Sequence, residues 1–425
     1  MAFETIGFRP AEILLPRKDV HPETWACVAC DQYTSEPEYW EKADALVGQA
    51  PSALRLILPE CWLKESSMRV PKVHETMRSY LEQGLLEPAV RDGFVLCERR
   101  TETGTRLGLI CAVDLEKYSF SREEEPLVRP TEQTITSRLP PRLAIRRGAP
   151  LELTHIMILI DDPDRTVLEP LQRKKASLRK LYDFELMGGG GHLAGWAVDG
   201  TAELAEVDCA MNALLARKTA EAAPHQPMLL AVGDGNHSLA TAKAFWVEIK
   251  ADLTEAEKEN HPARFALCEV VNLYDDALVF EPIHRLVTGI DQATLMADWR
   301  NYAESRGMTL SAVPAPGKHC FTVVSALGEE TAAVENPEGA IPCETLQKYL
   351  DDFLSRYPEA EIDFIHGEES LRKLARRQEN VGFLLPEIDK RAFFRDVTRL
   401  GVLPRKTFSM GEAHEKRFYM EAKRI

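Results

Sequence analysis

Six consecutive residues, Gly233-Asp234-Gly235-Asn236-His237-Ser238, join an apolar run, Met228-Leu229-Leu230-Ala231-Val232, to a segment with helical spacing, Leu239 to Ile249. Glycine lets the chain turn tightly and lets a ligand approach the main chain. The first amides of a helix lack intrahelical partners and lie at the positive end of its dipole, so a strand–turn–helix of this kind favours a bound anion. Main-chain groups of Gly233, Gly235 and Asn236 would hold a phosphate there. Asp234 has the chemistry of a base or a metal ligand, and His237 that of a proton donor, phosphate contact or nucleophile. Asn236 and Ser238 add short polar groups suited to capping or substrate contact. The spacing is neither a Walker A loop nor a GxGxxG fingerprint. An ordinary turn followed by a serine N-cap is the plainer alternative.

Three other places carry useful side chains. In Glu281-Pro282-Ile283-His284-Arg285 the guanidinium of Arg285 could fork onto a phosphate and His284 could shuttle a proton. Lys406, in the short basic stretch Pro404-Arg405-Lys406-Thr407, could close over an anion, although exposed basic residues more often serve solubility. Glu132, after Arg129-Pro130-Thr131, could orient water or a hydroxyl; a solvated loop carboxylate is the commoner fate. Cys27-Val28-Ala29-Cys30 has CxxC spacing but lacks a second ligand pair, so buried structural thiols are expected and no residue set is assigned to a metal.

The elements that must position these groups interleave along a chain of 425 residues, long enough for two or more domains. A strand is expected at Glu12–Pro16, a helix after Ser35-Glu36-Pro37-Glu38 with Ser35 as N-cap, a strand at Arg55–Leu58 and a helix from Val70 to Leu86. Gly93–Glu98 and Arg106–Val113 flank a Thr/Glu/Gly turn and form a hairpin pattern. Leu153–Ile160 and His192–Val198 are strand-like, the second preceded by four glycines that form a loop. Ala202–Ala222 is helical and Phe265–Leu273 a strand. Hairpins break any regular βαβ rhythm, so the expected class is α+β or mixed α/β, with mixed sheets and helices packed on them. The expected domains are a main one over 1–290, a smaller lobe over 291–376 and a C-terminal segment, 377–425, returning to the main domain.

A net charge of −15 disfavours nucleic acid and anionic membrane as partners. The start of the chain lacks the pattern of a signal peptide, and apolar runs such as Met157-Ile158-Leu159-Ile160 are strand-length. Nine cysteines, an odd number, point to reduced thiols and a cytoplasmic location.

Several segments, in order, resemble a bacterial family catalogued as domain of unknown function 1015. The Gly233–Ser238 turn is similar to its Asp-Gly-His-His-Arg turn, Val28-Ala29-Cys30-Asp31-Gln32-Tyr33-Thr34-Ser35 to its N-terminal segment, Pro282-Ile283-His284-Arg285 to its Pro-x-His-Arg segment, and Leu403-Pro404-Arg405-Lys406-Thr407-Phe408 to its Pro-x-Lys-Ser/Thr stretch. Asn236 and Ser238 stand where the commoner pattern has His and Arg, which removes a cation from the turn. The resemblance implies that Asp31 and Tyr33 line the pocket. More distantly, the turn resembles the phosphate-binding turns of ParB-like, sulfiredoxin-like and free-serine-kinase proteins. That implies a ParB/sulfiredoxin-like element plus additional lobes, and the family's association with serine biosynthesis makes serine or phosphoserine a candidate substrate.

The expected function is an enzyme that transfers or hydrolyses phosphate on a small metabolite, with a phosphorylated small molecule as partner; a nucleotide cofactor and Mg2+ held through Asp234 are compatible with it but not required. A non-catalytic nucleotide-binding regulatory module is the alternative. The site so drawn requires Asp31, Glu132, His237, Arg285 and Lys406 to converge.

Overall fold

The computed structural model describes residues 3–121, 123–404 and 406–425. The chain divides into two compact units, one of residues 1–279 with 411–425 and one of residues 280–410. Residues 280–290 and 377–410, assigned from sequence to the main domain and its returning segment, thus lie in the second unit, and 411–425 alone rejoins the first. Mixed sheets with packed helices make the fold α+β.

The first unit is built on a large mixed sheet. After a two-residue strand, Phe8–Arg9, come strand β1 (Ala11–Pro16) and helices α1 (Pro37–Val47) and α2 (Ser66–Glu82). Helix α1 has Glu36, without a side-chain cap, at its N-cap position in place of Ser35, with proline in the first turn where its missing N–H is harmless. The expected strand at Arg55–Leu58 is instead a 3-10 turn over Ala53–Leu56. The Ser52 hydroxyl accepts from the Leu54 amide and offers this segment a local cap that competes with sheet pairing.

The expected hairpin is formed by β2 (Leu86–Thr101) and β3 (Gly104–Asp114), paired from Thr101↔Gly104 to Val95↔Ile110. Alternation along it feeds two cores: Val95, Cys97, Ile110 and Ala112 enter one, Phe94, Leu96, Leu109 and Cys111 the other. Both faces of the sheet are therefore covered, which is why its central strands are apolar nearly throughout.

Beyond the hairpin come β4 (Val128–Pro130), α3 (Leu139–Arg146), β5 (Leu151–Leu153), β6 (Ile156–Ile160), β7 (Arg179–Glu185), β8 (His192–Val198), α4 (Thr201–Ala222), β9 (Leu230–Asp234), α5 (Asn236–Lys250) and β10 (Phe265–Asn272). The order across the sheet is β4-β9-β6-β10-β3-β2-β1, then the C-terminal strand Ala422–Arg424, then β5. Strand β8 pairs with both β2 and β7. The apolar stretch expected as one strand at Leu153–Ile160 is two. It breaks at Thr154-His155, where the Thr154 amide and hydroxyl both donate to the Glu421 carbonyl. Thus β5 joins the C-terminal strand, while β6 lies between β9 and β10.

The second unit has its own six-stranded antiparallel sheet, with order Thr309–Ser311, Gly328–Glu335, His319–Ser325, Asn380–Leu384, His284–Thr288, Glu361–Ile365. Helices Gln292–Ser305 and Pro342–Arg356 contribute to its core, where Trp299 stacks on Tyr349 with ring centroids 5.1 Å apart and meets Phe383 edge-on. Its two ends meet in a short antiparallel pair, Phe280↔Met410 to Pro282↔Phe408. Among the described residues no helix is long and apolar enough to cross a membrane.

Candidate functional site

The Gly233–Ser238 turn joins β9 to α5. Strand β9 runs parallel to β4 and antiparallel to β6, with a register shift between Val232 and Asp234. A shift of this kind bends the strand end and re-aims the side chain that follows it. Gly235 is in the left-handed conformation (φ 78°) and forms the N-cap of α5, so no side chain caps the helix start. A Cβ on Gly235 would lie 3.1 Å from His155 Cδ2 and from Ile156 Cα. The glycine therefore serves close packing as well as the turn. The helix is anchored by Leu239, Ala240, Ala242 and Trp246, all fully buried, and the Trp246 indole donates to Glu116 Oε1 at 2.6 Å. Each large buried apolar side chain contributes about 1.5–3 kcal/mol. The turn is thus held from behind by a rigid helix.

Ionisable side chains gather at this helix start. Asp234 accepts from its neighbouring Gly235 amide at 3.0 Å and pairs with Lys416 Nζ at 3.3 Å. Burial opposes its ionised form, but the Lys416 ammonium, His155 and these hydrogen bonds outweigh burial and hold the carboxyl below its ordinary range. His155, at the break between β5 and β6, has Nδ1 2.6 Å from the Tyr419 hydroxyl and Nε2 3.7 Å from Asp31 Oδ2. Burial alone would drive the imidazole toward neutrality. The Asp31 carboxylate, the Cys30 sulfur and Asp234 overcome it and raise the ring to about 10. A ring raised this far favours the imidazolium form at neutral pH, which puts a proton on each nitrogen: Nδ1 within hydrogen-bond reach of Tyr419 and Nε2 at ion-pair distance from Asp31. Burial, with Cys30 and Asp31, pushes the Tyr419 phenol upward, and its oxygen also accepts from the Cys30 amide at 3.1 Å.

Asp31 and Asp234 are about equally accessible, but Asp31 lacks an ammonium partner among the contacts of this cluster. Its side chain is 28% exposed, and its Oδ1 accepts from Gln32 at 2.9 Å. Asp234, whose carboxylate has the chemistry of a base or a metal ligand, already directs one oxygen to an amide and the other to an ammonium. Among the described residues no group of three or more His, Cys, Asp or Glu could hold a metal ion.

A family model described as a protein of unknown function, DUF1015, matches residues 11–353. The chain belongs to that family. No curated protein matches this DUF1015 member. Among solved structures it is similar to free serine kinase in complex with AMP, with 13% identity over 73% of this chain and 90% of that one and a TM-score of 0.39. It is also similar to a conserved hypothetical protein from Pyrococcus furiosus, with 12% identity over 74% and 94% and a TM-score of 0.36. SbnI with a C-terminal truncation, from Staphylococcus aureus, is similar at 8% identity over 71% and 83%, with a TM-score of 0.35.

Within this DUF1015 chain the residues singled out from sequence divide between the units. Asp31, Tyr33, Glu132 and the Gly233–Ser238 turn lie in the first, and His284, Arg285 and Lys406 in the second. His237 accepts at Nε2 from the Ile135 amide at 3.3 Å, and Thr131 donates to the Val232 carbonyl, so the loop carrying Glu132 is tied to the turn. Tyr33 stacks on Tyr39 with centroids 3.8 Å apart. Asn236 keeps its Oδ1 buried and unpartnered at the helix start.

Arg285, read from sequence as a phosphate clamp, is fully buried in the second unit and donates to the Ile283 and Lys406 carbonyls, Gln347 Oε1 and Cys343 Sγ. His284 accepts from the Leu385 amide, and burial lowers its ring below the ordinary value. Lys406 is exposed with φ 58°. Arg405 lies outside the described residues.

Sequence reasoning missed His155, Lys416 and Tyr419. The only sequence signal for His155 is a lone polar pair, Thr154-His155, inside an apolar run.

Proposed function

We propose that the first unit handles phosphate, free or carried by a nucleotide, and acts on a small metabolite as a phosphotransferase or phosphohydrolase. The observation that carries this reading is the packing of His155, an imidazole raised to about 10 by its acidic neighbours, against a helix N-terminus without a side-chain cap. Open amides and a fixed cation together favour an anion far more than either does alone. The amides of Asn236 and Ser238 receive phosphate oxygens, while His155 and Lys416 balance the charge. Lys416 takes the place of the cation missing from the turn itself, and Arg285 has no part in this reading.

Catalysis of phosphoryl transfer rests mainly on positioning and on stabilising charge. Asp31 takes the proton of the attacking hydroxyl or water as the new P–O bond forms and the bond to the leaving oxygen breaks. Asp234 keeps Lys416 oriented. Serine or phosphoserine is the metabolite that the family resemblance suggests.

The test is to incubate the full chain with ATP, ADP, serine, phosphoserine and phenyl phosphate and to follow phosphorus by NMR. Turnover that Asp31→Asn and His155→Gln both abolish is the expected outcome. Stoichiometric binding without turnover across the panel would contradict an enzyme and leave a ligand-binding module.

A further inference from the structure

Beside His155 the first unit forms a pocket of about 170 Å3, open to solvent on one side, that the phosphate reading leaves unused. Its polar lining includes His155, Ser238 and Tyr419, residues of the helix start and its cation. The rest of the wall is dominated by aliphatic and thioether side chains, among them Ile57, Leu63, Met77, Ile145, Leu153 and Ile156. Two arginines also line it, and both are paired: Arg142 with Glu60, and Arg146 with Glu152 at 2.7 Å. Glu152 is held further by the Leu267 amide and by Lys423. These charges are committed to protein partners. Arg146 Nε is buried and unpartnered, and leaves one hydrogen-bond donor for an acceptor atom of a ligand.

We infer that the phosphorylated ligand carries an uncharged apolar group, a single ring or a short branched chain, and that this group fills the cavity beside His155. The inference rests on the proposed phosphate site and names the substrate class for it. A cavity of about 150 Å3 lined by apolar side chains is enough to take a benzene ring. An amino acid moiety fits less well, because the arginines and glutamates of the wall are paired with one another and its ammonium and carboxylate would lose water largely among Leu, Ile and Met side chains. Serine and phosphoserine are disfavoured on this ground.

Calorimetric titration of the full chain with inorganic phosphate, phenyl phosphate and phosphoserine tests the inference. Phenyl phosphate is expected to bind at least about tenfold more tightly than inorganic phosphate, because the ring leaves water. Ile57→Trp and Leu63→Trp, each at a partly exposed wall position, should erase that gain and leave the affinity for inorganic phosphate unchanged. Either variant suffices if the other fails to fold. Phenyl phosphate binding no tighter than inorganic phosphate, phosphoserine binding tightest, or a gain that survives in the tryptophan variants would overturn the inference and spare the phosphate site. Failure of all three compounds to bind would overturn the phosphate site itself, and the inference with it.

Discussion

In the proposed site the charge of His155 matters most, and it exists only through the ring's neighbours. Its ring, raised to about 10 against an ordinary value of 6.5, contributes stability that is fully present below about 6.5 and is lost as pH rises through about 10. In urea unfolding the margin of the wild type over His155→Gln should therefore narrow across that window; a margin independent of pH would mean a neutral ring. Asp31→Asn should bring the imidazole back toward its ordinary value, as read by NMR titration. Asp234 has the opposite sign. Its lowered value gives stability that is present above about 3.8 and disappears as pH falls through the folded-state value. Asp234→Asn leaves the Lys416 ammonium, 13% exposed, without its partner and should cost about 1–3 kcal/mol in chemical denaturation. An unchanged midpoint would show that the pair contributes nothing.

The strand–turn–helix works because Gly235 is both a left-handed N-cap and a gap for His155. Gly235→Ala should destabilise by about 1–2 kcal/mol and shift the His155 ring resonances, since the new methyl meets the imidazole as well as straining the backbone. A stable variant with unaltered His155 signals would refute that packing. This element was legible in the sequence: an apolar run, two glycines and a helical pattern are local features, and they appear at Leu230–Asp234 and Asn236–Lys250. The break at Thr154-His155 was not, because the Glu421 carbonyl that imposes it lies at the other end of the chain. Lys416 and Tyr419 were hidden for the same reason. Arg285 misled in the opposite sense, since a Pro-x-His-Arg string looks the same whether its guanidinium meets a phosphate or a set of buried carbonyls.

At the scale of the molecule, the second unit is an insertion whose ends, Phe280 and Met410, are paired residues of adjacent strands. With its own sheet and aromatic core, residues 280–410 should fold and unfold cooperatively when expressed alone, as seen by circular dichroism and amide dispersion; a disordered fragment would contradict an independent core. That boundary was hard to see in sequence, because His284–Thr288 continues the strand-like texture of the preceding domain. The first unit is closed by its C-terminal segment. Arg417, nearly inaccessible, donates to Glu269 at 2.8 Å and to Glu421, and its Nε reaches the Thr154 carbonyl. Arg417→Met should cost about 3–5 kcal/mol by stranding two buried carboxylates, and a loss below 1 kcal/mol would show them to be neutral.

The central claim, an anion at the start of α5 held by a charged His155, is met most directly by amide and imidazole NMR of the full chain during a phosphate titration at pH 7.5. The account predicts saturable shifts at the Asn236 and Ser238 amides and at a His155 ring that is protonated before ligand is added. A ring that titrates near 6.5, or shifts that saturate only at residues away from this helix start, would contradict it.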